Sequence, residues 1–115
     1  ESMVRGWECL ARFAERIAGF HKSQVRAVAT QTLREARNRE VFLAKAKDIL
    51  GFAIEVITGK EEARLIYLGV SHLLPHSPER RLVIDIGGRS TELILGQFSK
   101  PKHWRLTGLA AWPGR

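Results

Sequence analysis

The stretch Leu82-Val83-Ile84-Asp85-Ile86-Gly87-Gly88-Arg89-Ser90-Thr91-Glu92-Leu93-Ile94-Leu95 narrows the choice of folds more than any other part of the chain. Two aliphatic, β-branched runs flank a glycine pair, a pattern that predicts two strands joined by a tight turn. The rhythm upstream is different. Val4, Trp7, Leu10 or Ala11, Ala14, and Ile17 or Ala18 recur at three- and four-residue steps, which predicts a helix to about residue 18, stopped by Gly19. Val25 to Ala29 then reads as a strand ending near Thr30. Gln31 to Arg37 reads as a short helix, and Asn38 is placed to cap another that carries Phe42, Ala46, Ile49 and Leu50 before Gly51. Ala53 to Ile57 is nearly unbroken in apolar character, as expected of a strand covered on both faces in a parallel sheet. Thr58 stands three residues before Glu61, the spacing of a reciprocal helix cap, so a further helix is expected from Gly59 to Leu74. Pro75 ends it, and His76-Ser77-Pro78-Glu79 is the best candidate boundary. The fold class is therefore α/β, with parallel strands linked by helical crossovers and followed by a β-hairpin.

Composition limits the function classes. A chain of 115 residues with 44% apolar content suits one ordinary globular domain and is too apolar for disorder. The formal charge is +7, and 13 of the 19 bases are Arg, which favours an anionic partner. Residues 1–95 hold 15 bases and 12 acids, whereas 96–115 hold four bases and no acid, so much of the excess belongs to the tail. Such a tail can touch nucleic acid, but a solvated terminus explains it as well. The single Cys9 excludes a disulfide framework and the usual cysteine zinc sites, which fits a reducing cytoplasm. No apolar run approaches the roughly 20 residues that a membrane span needs, and no leader opens the chain.

The glycine turn is where chemistry is most concentrated. Glycines can take positive φ and aim successive N–H groups into one concavity suited to phosphate oxygens, and Ser90 and Thr91 add hydroxyl donors. Asp85 and Glu92 place two carboxylates beside it, the donor type that holds magnesium together with substrate phosphate and water. A plain hairpin turn accounts for Gly87-Gly88 equally well. Glu61 and Glu62 open a helix; with Glu61 engaged in the cap, Glu62 lies about 100° further round and is placed to orient and deprotonate water. Favourable charge at a helix N-terminus is the simpler reading of both. Arg34 follows the strand ending at Thr30, at the sheet edge where α/β folds place ligands, and can pair with a phosphate or simply be solvated. His72 and His76 are split by Pro75 and do not form a metal pair. Trp7, Cys9 and Phe13 read as packing residues.

Three stretches, VRAVATQTLREARN (25–38), EVITGKEEARLIYLGV (55–70) and LVIDIGGRSTELILG (82–96), resemble the exopolyphosphatase and guanosine pentaphosphate phosphohydrolase (Ppx/GppA) family in order and spacing. The likeness covers about residues 1–98. It implies a partial ribonuclease H-like domain of the actin-like ATPase superfold. Residues 1–75 would be the latter part of a first domain, 76–80 a linker, 81–98 the opening phosphate-loop hairpin of a second, and 99–115 a divergent basic tail. It implies release of terminal phosphate from polyphosphate or guanosine pentaphosphate by water, with Mg²⁺, in a cytoplasmic enzyme whose full-length relatives are homodimers. Glu62 then corresponds to the catalytic base, and Asp85 and Glu92 to metal-site carboxylates. Gly87, Gly88, Ser90 and Thr91 correspond to the second phosphate loop, and Arg34 to a residue near the cleft. The family's first phosphate loop, Asp-x-Gly-Ser-Asn-Ser, is absent. Arg89 stands where the family has a third glycine, and its guanidinium is either a local strain or an added phosphate contact. The chain reads as a fragment, so a non-catalytic polyphosphate or nucleic-acid binding fragment is the alternative.

Overall fold

The computed structural model describes residues 1–88 and 90–97 with their side chains, and the strand backbone over 98–100 and 103–113. Along the chain run α1 (Ser2–Ile17), β1 (Ala27–Ala29), α2 (Gln31–Glu35), α3 (Arg39–Leu50), β2 (Ile54–Val56), α4 (Gly59–Leu73), β3 (Arg80–Ile86), β4 (Ser90–Lys100) and β5 (His103–Pro113). The predicted α/β alternation and the closing hairpin are all present. The chain gathers into two compact units, Glu1–Ile57 and Thr58–Arg115. The proline-containing connector around 76–80 lies inside the second of these.

In the first unit β1 and β2 pair in parallel, Ala27 opposite Ile54 and Ala29 opposite Val56, with α2 and α3 forming the crossover that parallel pairing requires. Helix α1 packs on α3. The Trp7 ring stacks on Phe42 with centroids 5.8 Å apart, and its indole N–H donates to the Phe42 carbonyl at 3.2 Å. The ammonium of Lys45 sits 4.2 Å from the centre of the same ring, a cation–π contact. Cys9 and Phe13, expected to pack, are exposed, Phe13 by 58%. At about 100° per residue they lie some 200° and 240° round the helix from Trp7, on the side away from α3. Asn38 occupies the N-cap position of α3 but makes no capping bond there; its amide donates to the Met3 sulfur at 3.4 Å instead. Gly51 closes α3 as expected, in the left-handed conformation (φ 79°) that glycine adopts without steric cost, with its N–H on the Lys47 carbonyl.

In the second unit the Thr58 hydroxyl caps α4 by accepting from the Glu61 N–H at 3.1 Å. Ala63, Tyr67 and Ser71, spaced four apart, form the buried face of that helix. Ala63 and Tyr67 pack with Val83 of β3 and Ile94 of β4, with Ile66 and Val70 at the margin. β3 and β4 pair antiparallel with Val83 opposite Ile94, Asp85 opposite Glu92 and Ile86 opposite Thr91. β4 continues past the predicted end at Leu95, and β5 pairs antiparallel with it. The segment 99–115, read as a basic tail, thus contributes a strand. Its composition is mixed, with Trp104, Thr107 and Trp112 favourable to a strand and Gly108, Ala110, Ala111 and Pro113 depleted in strands.

Candidate functional site

The β3–β4 hairpin positions the candidate carboxylates. Residues directly opposite in an antiparallel pair project from the same face, so the register that pairs Asp85 with Glu92 sets their side chains next to one another. That face also carries Val83 and Ile94 and is the one α4 covers. Asp85 is half-buried, and Glu92 is only 2% exposed. One Glu92 carboxylate oxygen, Oε2, is buried with no hydrogen-bond partner. A buried carboxylate oxygen left in this state costs roughly 1–3 kcal/mol or more. The pair presents hard oxygen donors, one of them unsatisfied, which is what a divalent cation needs. Among the described residues no group of three or more His, Cys, Asp or Glu gathers in one place.

Among the described residues the positive-φ glycine is Gly51, so Gly87 and Gly88 do not use the left-handed region. The Gly87 N–H donates to the Ser90 carbonyl at 2.8 Å and so belongs to the hairpin. A Cβ on Gly87 would stand 3.1 Å from that carbonyl oxygen, which explains a residue without one. Gly88 is exposed, and a Cβ there would meet nothing within 4 Å, leaving its backbone approachable. Ser90 and Thr91 are half-buried at the start of β4. Arg89 lies outside the described residues.

At the start of α4 the expected reciprocal cap is replaced by an ion pair. Glu61 accepts two bonds from Arg64, Nε to Oε2 and Nη2 to Oε1, each 2.7 Å, the two-pronged geometry that suits a guanidinium and a carboxylate. The hydrogen bond that Arg64 donates to Glu61 holds the Arg64 pKa above its ordinary value. Glu62, the next residue, has its own N–H on the Thr58 carbonyl at 2.9 Å and a half-buried side chain. Arg64 was missed by the sequence reading, although its three-residue spacing from Glu61 is the helical ion-pair signal. Gly96 was missed too. It lies against the Tyr67 ring, and a glycine inside a strand marks such a close approach.

Arg34 belongs to the first unit, where its Nη1 donates to the Ile57 carbonyl at 2.8 Å. The Ile57 N–H donates to the Ala29 carbonyl at 3.0 Å, so both backbone groups of that residue are tied to the β1 side of the fold. At least one donor of the guanidinium expected at a phosphate therefore serves the backbone. His72 Nδ1 bonds the Leu68 carbonyl of its own helix at 3.0 Å.

A guanosine-5'-triphosphate,3'-diphosphate pyrophosphatase of Vibrio campbellii is 59% identical over 102 residues, covering 89% of this chain and 20% of that protein. An exopolyphosphatase-like protein of known structure superposes with a TM-score of 0.82 at 36% identity, covering 96% of this chain and 34% of the other. The PPX-GPPA enzyme of Aquifex aeolicus gives a TM-score of 0.76 at 32% identity, covering 97% of this chain and 36% of the other. The chain thus spans about a fifth of the curated relative and about a third of the solved ones. The Ppx/GppA phosphatase family model matches residues 1–105, and the chain belongs to that family.

Proposed function

We propose that the chain contributes the metal- and phosphate-holding part of a hydrolase that releases terminal phosphate from inorganic polyphosphate or guanosine pentaphosphate. The observation that carries this reading is the Asp85–Glu92 pair beside the glycine turn, with an unsatisfied buried carboxylate oxygen. Asp85 and Glu92 would hold a divalent cation, Mg²⁺ by its donor chemistry. When bound, the ion neutralises phosphate charge and polarises the terminal phosphorus for attack. The Gly88 backbone and the Ser90 and Thr91 hydroxyls would donate to phosphate oxygens and fix the terminal group, with Arg89 as a supplementary cation. Glu62 would accept a proton from the attacking water. The water oxygen then bonds to the terminal phosphorus as the bridging P–O bond breaks, and the bridging oxygen leaves with that electron pair on the shortened substrate. Phosphoryl transfer needs little more than positioning and charge neutralisation, so a carboxylate base, a cation and a few donors suffice.

The family relationship and the names of the relatives support the substrate classes. The test is phosphate release from long-chain polyphosphate and from guanosine pentaphosphate with magnesium, comparing the chain with its Glu62→Gln variant. Release should fall by about 10²–10⁴-fold in the variant, the range for loss of a general base. Equal release from both proteins would refute the role of Glu62. Absent release with magnesium-dependent polyphosphate binding, removed by Glu92→Gln, would assign the chain to binding alone.

A further inference from the structure

The first turn of α4 carries two neighbouring carboxylates, Glu61 and Glu62, and the fold treats them differently. Both oxygens of Glu61 are taken by one guanidinium, Arg64 Nε on Oε2 and Nη2 on Oε1, each at 2.7 Å. The Arg64 and Glu61 side chains are exposed by only 32% and 29%, unlike those of the exposed Arg26–Glu55 and Arg39–Glu40 pairs, so solvent screens this pair less than a surface one. The start of the helix does not require it. Two acids in the first turn already match the positive end of the helix, and the Thr58 hydroxyl already holds the Glu61 N–H at 3.1 Å. Glu61 is also spaced to return a reciprocal cap to Thr58, and the fork draws it off that task. Glu62 stands one residue along, about 100° round the helix, with its own N–H on the Thr58 carbonyl.

We propose that Arg64 is a positioning residue for the phosphate chain: by cancelling the charge of Glu61 it lets a polyanion approach Glu62 against one negative charge instead of two. This rests on the reading of Glu62 as the group that serves the attacking water. A carboxylate is useful in that role only if a terminal phosphate group, itself anionic, can stand beside it, and a second uncompensated carboxylate on the neighbouring residue opposes that approach. A guanidinium suits the task because it is always charged and its fork occupies both carboxylate oxygens, so Glu61 is neutralised and held in one geometry at once. Arg64 thus acts through Glu61 and not on the substrate.

The test reads binding, so it stands apart from turnover. The affinity of this chain for long-chain polyphosphate with magnesium is measured by calorimetry for the wild type, Arg64→Gln, Arg64→Lys and the double variant Glu61→Gln/Arg64→Gln, with circular dichroism melts to show that each folds. Arg64→Gln should weaken binding about tenfold, and by less at higher salt, as an unmasked and partly exposed charge does. Arg64→Lys should recover it to within about threefold, because the positive charge remains. The double variant should recover it as well, although the fork is gone, because position 61 no longer carries a charge to cancel. A role confined to holding the helix turn gives the opposite result, since the double variant lacks the pair altogether. Unchanged affinity in Arg64→Gln, a double variant as weak as Arg64→Gln, or a wild type that does not bind polyphosphate with magnesium overturns the proposal. Should Glu62→Gln leave phosphate release unchanged, the reading of Glu62 as base falls, while the double-variant comparison still decides the role of Arg64.

Discussion

Gly96→Ala is the sharpest probe of how the second unit is held together. A Cβ at this position would stand 2.5 Å from the Tyr67 hydroxyl oxygen and closer still to the ring carbons, well inside contact distance. Tyr67 is 2% exposed and shares its cluster with Ala63, Val83 and Ile94, so its ring has no free space to enter. Either the ring leaves the core, losing most of the roughly 1.5–3 kcal/mol that burying a large apolar side chain provides, or β4 shifts and disturbs its ladder with β3. The expected cost is about 1–3 kcal/mol, the usual range for an overpacked core. With a urea slope of about 1–3 kcal/mol per molar, the midpoint of the second unit's transition should fall by about 1 M. The assay is urea denaturation followed by circular dichroism on the wild type, Gly96→Ala, Tyr67→Ala and the double variant. Removing the ring opens the space a methyl group needs, so Gly96→Ala should cost almost nothing further in the Tyr67→Ala background. An unchanged midpoint for Gly96→Ala alone, or the same cost with and without the ring, would refute the reasoning; additivity means that the two sites do not meet.

Further predictions concern the candidate site and the helix start. Magnesium should raise the melting temperature of the wild type and leave Glu92→Gln unmoved, because binding to the folded state alone adds stability by linkage, about 2.7 kcal/mol at one hundred times Kd. Without magnesium, Glu92→Gln should be at least as stable as the wild type, since it removes a charge whose Oε2 has no partner. Arg34→Ala should cost about 1.5–3 kcal/mol in the first unit, by urea midpoint, through loss of the charged donor to the Ile57 carbonyl. Thr58→Ala should lower stability by about 1 kcal/mol and accelerate amide exchange in the first turn of α4, with Thr58→Ser restoring both.

Features that depend on neighbours along the chain were legible without coordinates. Three- and four-residue spacing marked α1, α3 and α4, the Thr58 hydroxyl was recognisable as a cap, and Gly51 as a stop. The aliphatic runs around Gly87-Gly88 announced β3 and β4, and Asp85 and Glu92 were marked because a turn with two flanking carboxylates is a local pattern. The short runs at β1 and β2 were recognised as strands, and their parallel pairing followed from the unbroken apolar character of the second.

What remained belonged to contacts between distant residues. That Glu92 is buried while Asp85 is only half-buried depends on where α4 lies across the sheet, and periodicity does not specify this. Asn38 donates its amide N–H to the sulfur of Met3, 35 residues away in sequence, a contact that no local pattern announces. Arg34 donates to Ile57 because β1 and β2 pair side by side, and Glu61 takes Arg64 in place of a reciprocal cap because a two-pronged ion pair is the stronger bond. β5 is a strand of mixed local propensity that pairs with β4, and that pairing is not written in its own residues. By itself the sequence determined the helices and most of the strands, their stops, and the residues available for chemistry, since each follows from backbone geometry repeated over a few residues. Only the tertiary structure decided which of those residues are buried, which are already engaged, and which face of the hairpin sheet α4 covers, because these depend on pairing and packing between segments far apart in the chain.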